Sequence, residues 1–310
     1  MKIAMLFPGY GSQFVGMGKE LYDEYRIVQE YFEEASNCLN INFVKLCFAS
    51  SDAELGKMNH AYPALFLVSS AIYALLEQEG IKPTVVSGYN DGEYAALYAG
   101  GCFSFPDGLY LLNKYALFFQ ESLEHISVEV IRVKGIATKE LEKACLQAST
   151  FDGKVFIAIY NELTDHIVAG ERSGIEHLRN LIGALKKVSM DELGVGIGLH
   201  SSLMNSVVEQ FKIYLEKVDF KDLTIPMVNG LDGEQISQGK KIKDQLLRHI
   251  NSPLHFTHVI DALLYYDLIV TVGPTIGLSK MIKKAYPKKQ VISIHTSADI
   301  AELKKIVPNR

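Results

Sequence analysis

The 310-residue chain is 48% hydrophobic, enough apolar material to bury one large core carrying a smaller insert. Its formal net charge of −5 provides no basic surface for nucleic acid or an anionic membrane, and neither is expected as a partner. The four cysteines (Cys38, Cys47, Cys102, Cys145) lie far apart with no C-x-x-C pair, so reduced buried thiols are expected rather than a disulfide frame or a zinc site.

Residues 2–7 form a short apolar run that Pro8-Gly9-Tyr10-Gly11 breaks, the pattern of a buried strand and a glycine-rich turn. The run is too short for a secretory h-region, and no apolar stretch nears the ~18 residues of a membrane span, so a soluble cytoplasmic protein is expected. Leu21, Tyr25, Val28, Phe32 and Ala35 recur at helical spacing and predict a helix over 21–39. Residues 62–76 are long and apolar enough for a buried helix. An apolar run over 83–87 predicts a buried strand, with helices from 93 and over 106–123. Strands of apolar, β-branched residues alternating with helices argue for a parallel sheet covered on both faces.

Over 124–193 the texture changes. Strands are predicted at 128–133, 155–160, 166–169 and 187–190, with helices at 138–147 and 173–185. That β-α-β-β-α-β order is the split βαβ arrangement of a ferredoxin-like subdomain. Afterwards α/β texture returns, with helices at 204–215, 242–249 and 256–266 and extended runs at 224–228, 268–272 and 290–294. The expected division is a core of 1–123 and 194–310 with an inserted subdomain at 124–193.

One turn carries chemistry. Gly88-Tyr89-Asn90-Asp91-Gly92 follows the strand at 83–87 and precedes a helix, the setting of a nucleophile elbow of the form G-x-S-x-G. Its centre is Asn90, whose neutral amide forms no acyl-enzyme. Asn is, after Gly, among the residues that best tolerate the left-handed backbone of an elbow tip, so the turn can survive without its nucleophile. Asp91 has two readings, a replacement nucleophile or a solvated or helix-capping carboxylate; its place one residue off the tip favours the second. His255 and His258 lie three apart with His249 nearby, but no carboxylate or thiol joins them at ligand spacing, so no metal is expected. Gly273 and Gly277 lack dinucleotide spacing and read as turn and helix-entry residues.

Five segments, in order, resemble those of the malonyl-CoA:acyl-carrier-protein transacylase family. Phe7-Pro8-Gly9-Tyr10-Gly11-Ser12-Gln13 resembles F-P-G-Q-G-S-Q, and Ala61-Tyr62-Pro63-Ala64-Leu65-Phe66 resembles A-Q-P-A-L-F. Gly88 to Leu97 resembles G-H-S-L-G-E-Y-A-A-L, Leu199 to Met204 resembles F-H-S-P-L-M, and Val272-Gly273-Pro274 resembles V-G-P. The resemblance spans essentially the whole chain. It implies an α/β-hydrolase-like acyltransferase core with a ferredoxin-like insert, and a role in fatty-acid or polyketide synthesis. It also implies an acyl carrier protein as partner, acyl-CoA or malonyl-CoA as substrate, and no further cofactor.

By the same resemblance a serine would attack the thioester with His200 as base, and backbone amides of Tyr10 and Asp91 would hold the oxyanion. Against that pattern this chain has Asn90 for the serine and Tyr89 for the histidine before it. Tyr10 and Tyr62 replace two glutamines, and Tyr115 replaces the arginine that pairs with malonate, with Lys114 beside it. The glutamine supporting the histidine falls on His255, and Asn161 matches a retained asparagine. Four tyrosines would narrow the pocket and remove its cation. His200 then reads either as a base or as a hydrogen-bonded pocket histidine. The implied protein is a transacylase homologue without serine-dependent malonyl transfer; the alternatives are a non-catalytic carrier-binding scaffold or a weak hydrolase or transferase using His200.

Overall fold

The computed structural model describes residues 1–149, 153–194, 200–274 and 276–307. Ten strands build two sheets: β1 (Ile3–Phe7), β2 (Val85–Gly88), β3 (Val128–Lys134), β4 (Val155–Glu162), β5 (Asp165–Glu171), β6 (Ser189–Leu193), β7 (Met227–Val228), β8 (Gln235–Ile236), β9 (Leu268–Val272) and β10 (Val291–Ile294). The six-stranded sheet has the order β10-β9-β1-β2-β7-β8, and every pairing except β7–β8 is parallel. β1 and β9 are buried along their whole length, as continuous apolar strands covered on both faces must be. Helix Met58–Gln78, buried almost throughout from Ala61 to Leu76, packs against helix Phe105–Leu123.

β3 to β6 form the second, antiparallel sheet in the order β4-β5-β3-β6. Helices Thr138–Ala148 and Arg172–Ile182 cover it, burying Leu141, Cys145, Ile175 and Leu178 in a separate apolar cluster. This is the β-α-β-β-α-β order expected for the insert. The antiparallel sheet meets the core at a short parallel bridge between Ile159 of β4 and Leu254, which lies between helices Gly239–Asn251 and Phe256–Leu263 of the core. There Tyr160 N–H donates to Leu254 at 2.8 Å and Leu254 N–H donates to Ala158 at 2.9 Å.

Some expectations change. The helix over 21–39 is two helices, Lys19–Glu24 and Arg26–Leu39, divided where Tyr25 turns extended (φ −119°, ψ 120°). The extended run 224–228 is a strand only at Met227–Val228, because Thr224 N–H pairs instead with Gly100 and Pro226 has no N–H to give. Helices Ile276–Ala285 and Ser297–Ile306 were not expected from periodicity. Cys47, Cys102 and Cys145 are buried thiols as expected, while Cys38 is exposed; none is paired. Among the described residues no helix is long and apolar enough to cross a membrane.

Candidate active site

β2 ends at Gly88 and the chain reverses through Asn90–Gly92 into helix Glu93–Ala99. The turn is too tight for side chains at its frame. A Cβ on Gly88 would lie 2.1 Å from Glu93 N, and one on Gly92 would lie 2.5 Å from the Phe7 carbonyl. Asn90 stands at the tip with φ 55°, left-handed backbone that asparagine adopts readily. The elbow is present in geometry, and its projecting group is a carboxamide.

Asn90 Oδ1 lies 2.9 Å from His200 Nε2, and His200 Nδ1 lies 2.7 Å from the His249 carbonyl. A carbonyl only accepts, so Nδ1 carries the proton. Burial pushes the His200 imidazole down to about 4, against the raising effect of that carbonyl, so it is neutral and its Nε2 is an acceptor. Two acceptors cannot face each other. The network closes when the Asn90 amide turns to present its N–H to Nε2, the orientation hydrogen bonding dictates for an amide of this kind. The carboxamide then makes the bond a hydroxyl would have made.

The residue that orients His200 is therefore His249, through its backbone carbonyl, and not His255 as the motif had suggested. His255 stacks on Tyr160 (4.5 Å) and on His258 (5.0 Å) beside the subdomain. His249 Nε2 lies 3.2 Å from Glu93 Oε2, and Gln245 Nε2 donates to Glu93 Oε1 at 3.2 Å. Burial raises Glu93 to about 8 and lowers His249 well below the usual range, so burial favours the uncharged form of each group. Sequence reasoning missed this pair. Its signal is a glutamate inside an otherwise apolar helix start, Glu93-Tyr94-Ala95-Ala96-Leu97.

The Asp91 side chain is neither solvated nor exposed at the elbow tip as a nucleophile would be. Tyr10 N–H, expected to hold an oxyanion, donates to Asp91 Oδ1 at 2.6 Å, and the carboxylate also takes its own backbone N–H. Both amides assigned to the oxyanion thus serve a carboxylate belonging to the chain itself. Asp91 is 4% exposed, and burial lifts it to about 7 despite these two donors.

The tyrosines divide. Tyr62 stacks on Tyr115 at 5.6 Å (20° between planes), with Tyr10 edge-on to Tyr62 at 5.6 Å. Tyr89 turns to the other side, donating to Asn161 Oδ1 at 3.0 Å and packing edge-on against Phe256. Lys114 lies over Tyr214 on the outer face and provides no cation to the pocket. Arg132, which the motifs did not flag, is bound by Asp165 through Nε (2.8 Å) and Nη2 (2.6 Å). No group of three metal-ligating side chains occurs among the described residues. Leu199, the first residue of the Leu199–Met204 segment, lies outside those residues.

A parallel sheet with an elbow after β2, a facing buried histidine and an antiparallel insert define an acyltransferase-type α/β protein. The chain belongs to the acyl transferase domain family, whose model matches residues 4–305. A malonyl CoA-acyl carrier protein transacylase of Bacillus subtilis strain 168 is 30% identical over 94% of this chain and 93% of its own. The acyl carrier protein S-malonyltransferase structure from Vibrio cholerae matches with a TM-score of 0.93 at 25% identity, covering 98% of this chain and 100% of that one. A malonyl-transacylase solved with its type II polyketide acyl carrier protein matches at 0.94 and 23% identity, covering 99% and 100%, which shows the fold alone.

Proposed function

We propose that this chain is a malonyl/acyl-CoA:acyl-carrier-protein transacylase homologue that has lost serine-dependent malonyl transfer. It engages acyl thioesters and an acyl carrier protein by binding, in a fatty-acid or polyketide setting. Asp91 carries the reading: its carboxylate holds the Tyr10 amide that an oxyanion would need, one residue from an elbow tip with no nucleophile. Losing the nucleophile of a comparable serine enzyme costs about a million-fold, and losing one oxyanion donor a further hundred- to thousand-fold. The carrier protein enters through relatives named for it, one of them solved in complex with it. A hydrolase using His200-activated water is the weaker reading, because His200 is 1% exposed and its Nε2 is engaged by Asn90.

Intact mass after incubation with malonyl-CoA tests this. The natural chain is expected to form no adduct and Asn90→Ser little, while Asn90→Ser with Asp91→Leu accumulates an acyl-enzyme. Preference for malonyl over acetyl is expected only when Tyr115→Arg is added, since an arginine gives a carboxylate bidentate pairing. An adduct of the natural chain mapped to residue 90 or 91 would overturn the reading. Full acylation of Asn90→Ser alone would show that Asp91 does not block the site.

A further inference from the structure

The space behind the elbow is filled by Tyr62, Tyr115 and Tyr10, and Asn90, Asp91 and His200 are each at most 4% exposed. The open volume lies between the core and the antiparallel sheet. A cavity of about 290 Å³ there is walled by Tyr10, Ser12, Tyr89, Arg132, Asn161 and Met281, among others. Asn161 and Met281 also line a second cavity of about 510 Å³, with Leu163, Ile260, Ile282 and Ala285 among its other walls. The two cavities meet at those shared residues, one end polar and the other largely apolar.

Asn161 is the group this arrangement leaves unfinished. It is 6% exposed and its Oδ1 is taken by the Tyr89 hydroxyl, but no described residue accepts from its side-chain N–H groups. Those N–H groups are open to the cavities that Asn161 lines, where a ligand acceptor can take them in place of water. Charge decides which acceptor. Arg132 is already matched by Asp165, and Glu162 and Asp261 stand in the wall of the second cavity. A free carboxylate would meet acidic neighbours with no unpaired cation in the lining. A neutral carbonyl asks only for a donor.

We propose that the joined cavities bind a medium-chain acyl group presented as a neutral pantetheine thioester. The thioester carbonyl accepts from the Asn161 amide, and the aliphatic tail runs past Met281 between Ile260 and Ile282. The proposal rests on the reading that the chain binds acyl thioesters without processing them, and it adds the acyl class and the place of the tail.

Calorimetry with hexanoyl- and decanoyl-pantetheine, on the full chain, tests it. Affinity is expected to rise about two- to fourfold per added methylene as the tail is buried. Met281→Glu should flatten that dependence. Asn161→Asp, which keeps an acceptor for Tyr89 and removes the donor, should weaken both ligands about tenfold. Decanoate should bind at least tenfold more weakly than the decanoyl thioester. Equal affinity for the two chain lengths in the natural protein would overturn the tail site, a result independent of whether any variant folds. Decanoate binding as tightly as the thioester would overturn the neutral-carbonyl assignment. Covalent adducts are read by mass and chain-length dependence by heat, so either proposal can fail alone.

Discussion

Asn90 and Asp91 alter different parts of one turn and at different cost. Asn90 suits its φ of 55° and satisfies His200, so the tip is at ease. Asp91 is a carboxyl lifted to about 7, chiefly by burial. Its folded form holds a proton more tightly than the unfolded chain, whose aspartate titrates near 4. The stability this group contributes is therefore complete below pH ~4 and is lost as pH rises through 7. His200, lowered to about 4, runs the other way: its contribution is present above pH ~6.5 and is lost as pH falls through 4. Asp91→Asn removes the first dependence while leaving an acceptor for Tyr10 N–H. Its stability relative to the natural chain should grow by on the order of 3 kcal/mol between pH 5 and pH 8, read from urea midpoints. A difference that stays constant with pH would show that Asp91 titrates as an ordinary aspartate.

Strands and helices put these groups in place by contact between backbones. At Gly88 any Cβ would collide with main-chain atoms of Gly92 and Glu93, which cannot swing aside as a flexible side chain would. Gly88→Ala should thus cost more than about 3 kcal/mol, or prevent folding, by forcing the elbow open. Gly277, in helix Ile276–Ala285, has nothing within 4 Å of its would-be Cβ. Gly277→Ala should be neutral or stabilise by up to about 1 kcal/mol, since alanine is the better helix former. Thermal denaturation of the two variants reads this contrast, and equal losses would refute the steric account.

At the scale of the molecule, the insert and the core are joined through the backbone at Ile159–Leu254, next to the Tyr160–His255–His258 ring stack. Asn161 follows Tyr160 directly, so the same junction sets the wall of the cleft. Leu254→Pro removes the N–H that Leu254 donates to Ala158. The natural chain is expected to unfold in urea in one transition, and the variant in two, as the antiparallel sheet uncouples. A single transition with unchanged slope in the variant would show that packing elsewhere holds the halves together.

Sequence alone determined what is local. The apolar runs that became β1, β2 and β9, the order of the insert, and the elbow frame with asparagine at its tip all follow from periodicity, glycine spacing and side-chain chemistry within a few residues. Placement of His200 against Asn90 also followed, because five ordered segments fixed its partner. Tertiary structure decided the rest. Whether His249 or His255 supports His200 depends on which backbone carbonyl helix Gly239–Asn251 delivers, and no side-chain identity encodes that. Whether Asp91 caps a helix or fills the amides depends on how closely the Pro8–Tyr10 turn approaches the elbow, a distance set by the pairing of β1 with β2. The packing of Tyr62, Tyr115 and Tyr10 against one another was not legible in the sequence, nor was the meeting of two cavities at Asn161. Those are properties of segments far apart in sequence, brought within a few ångströms only by the folded chain.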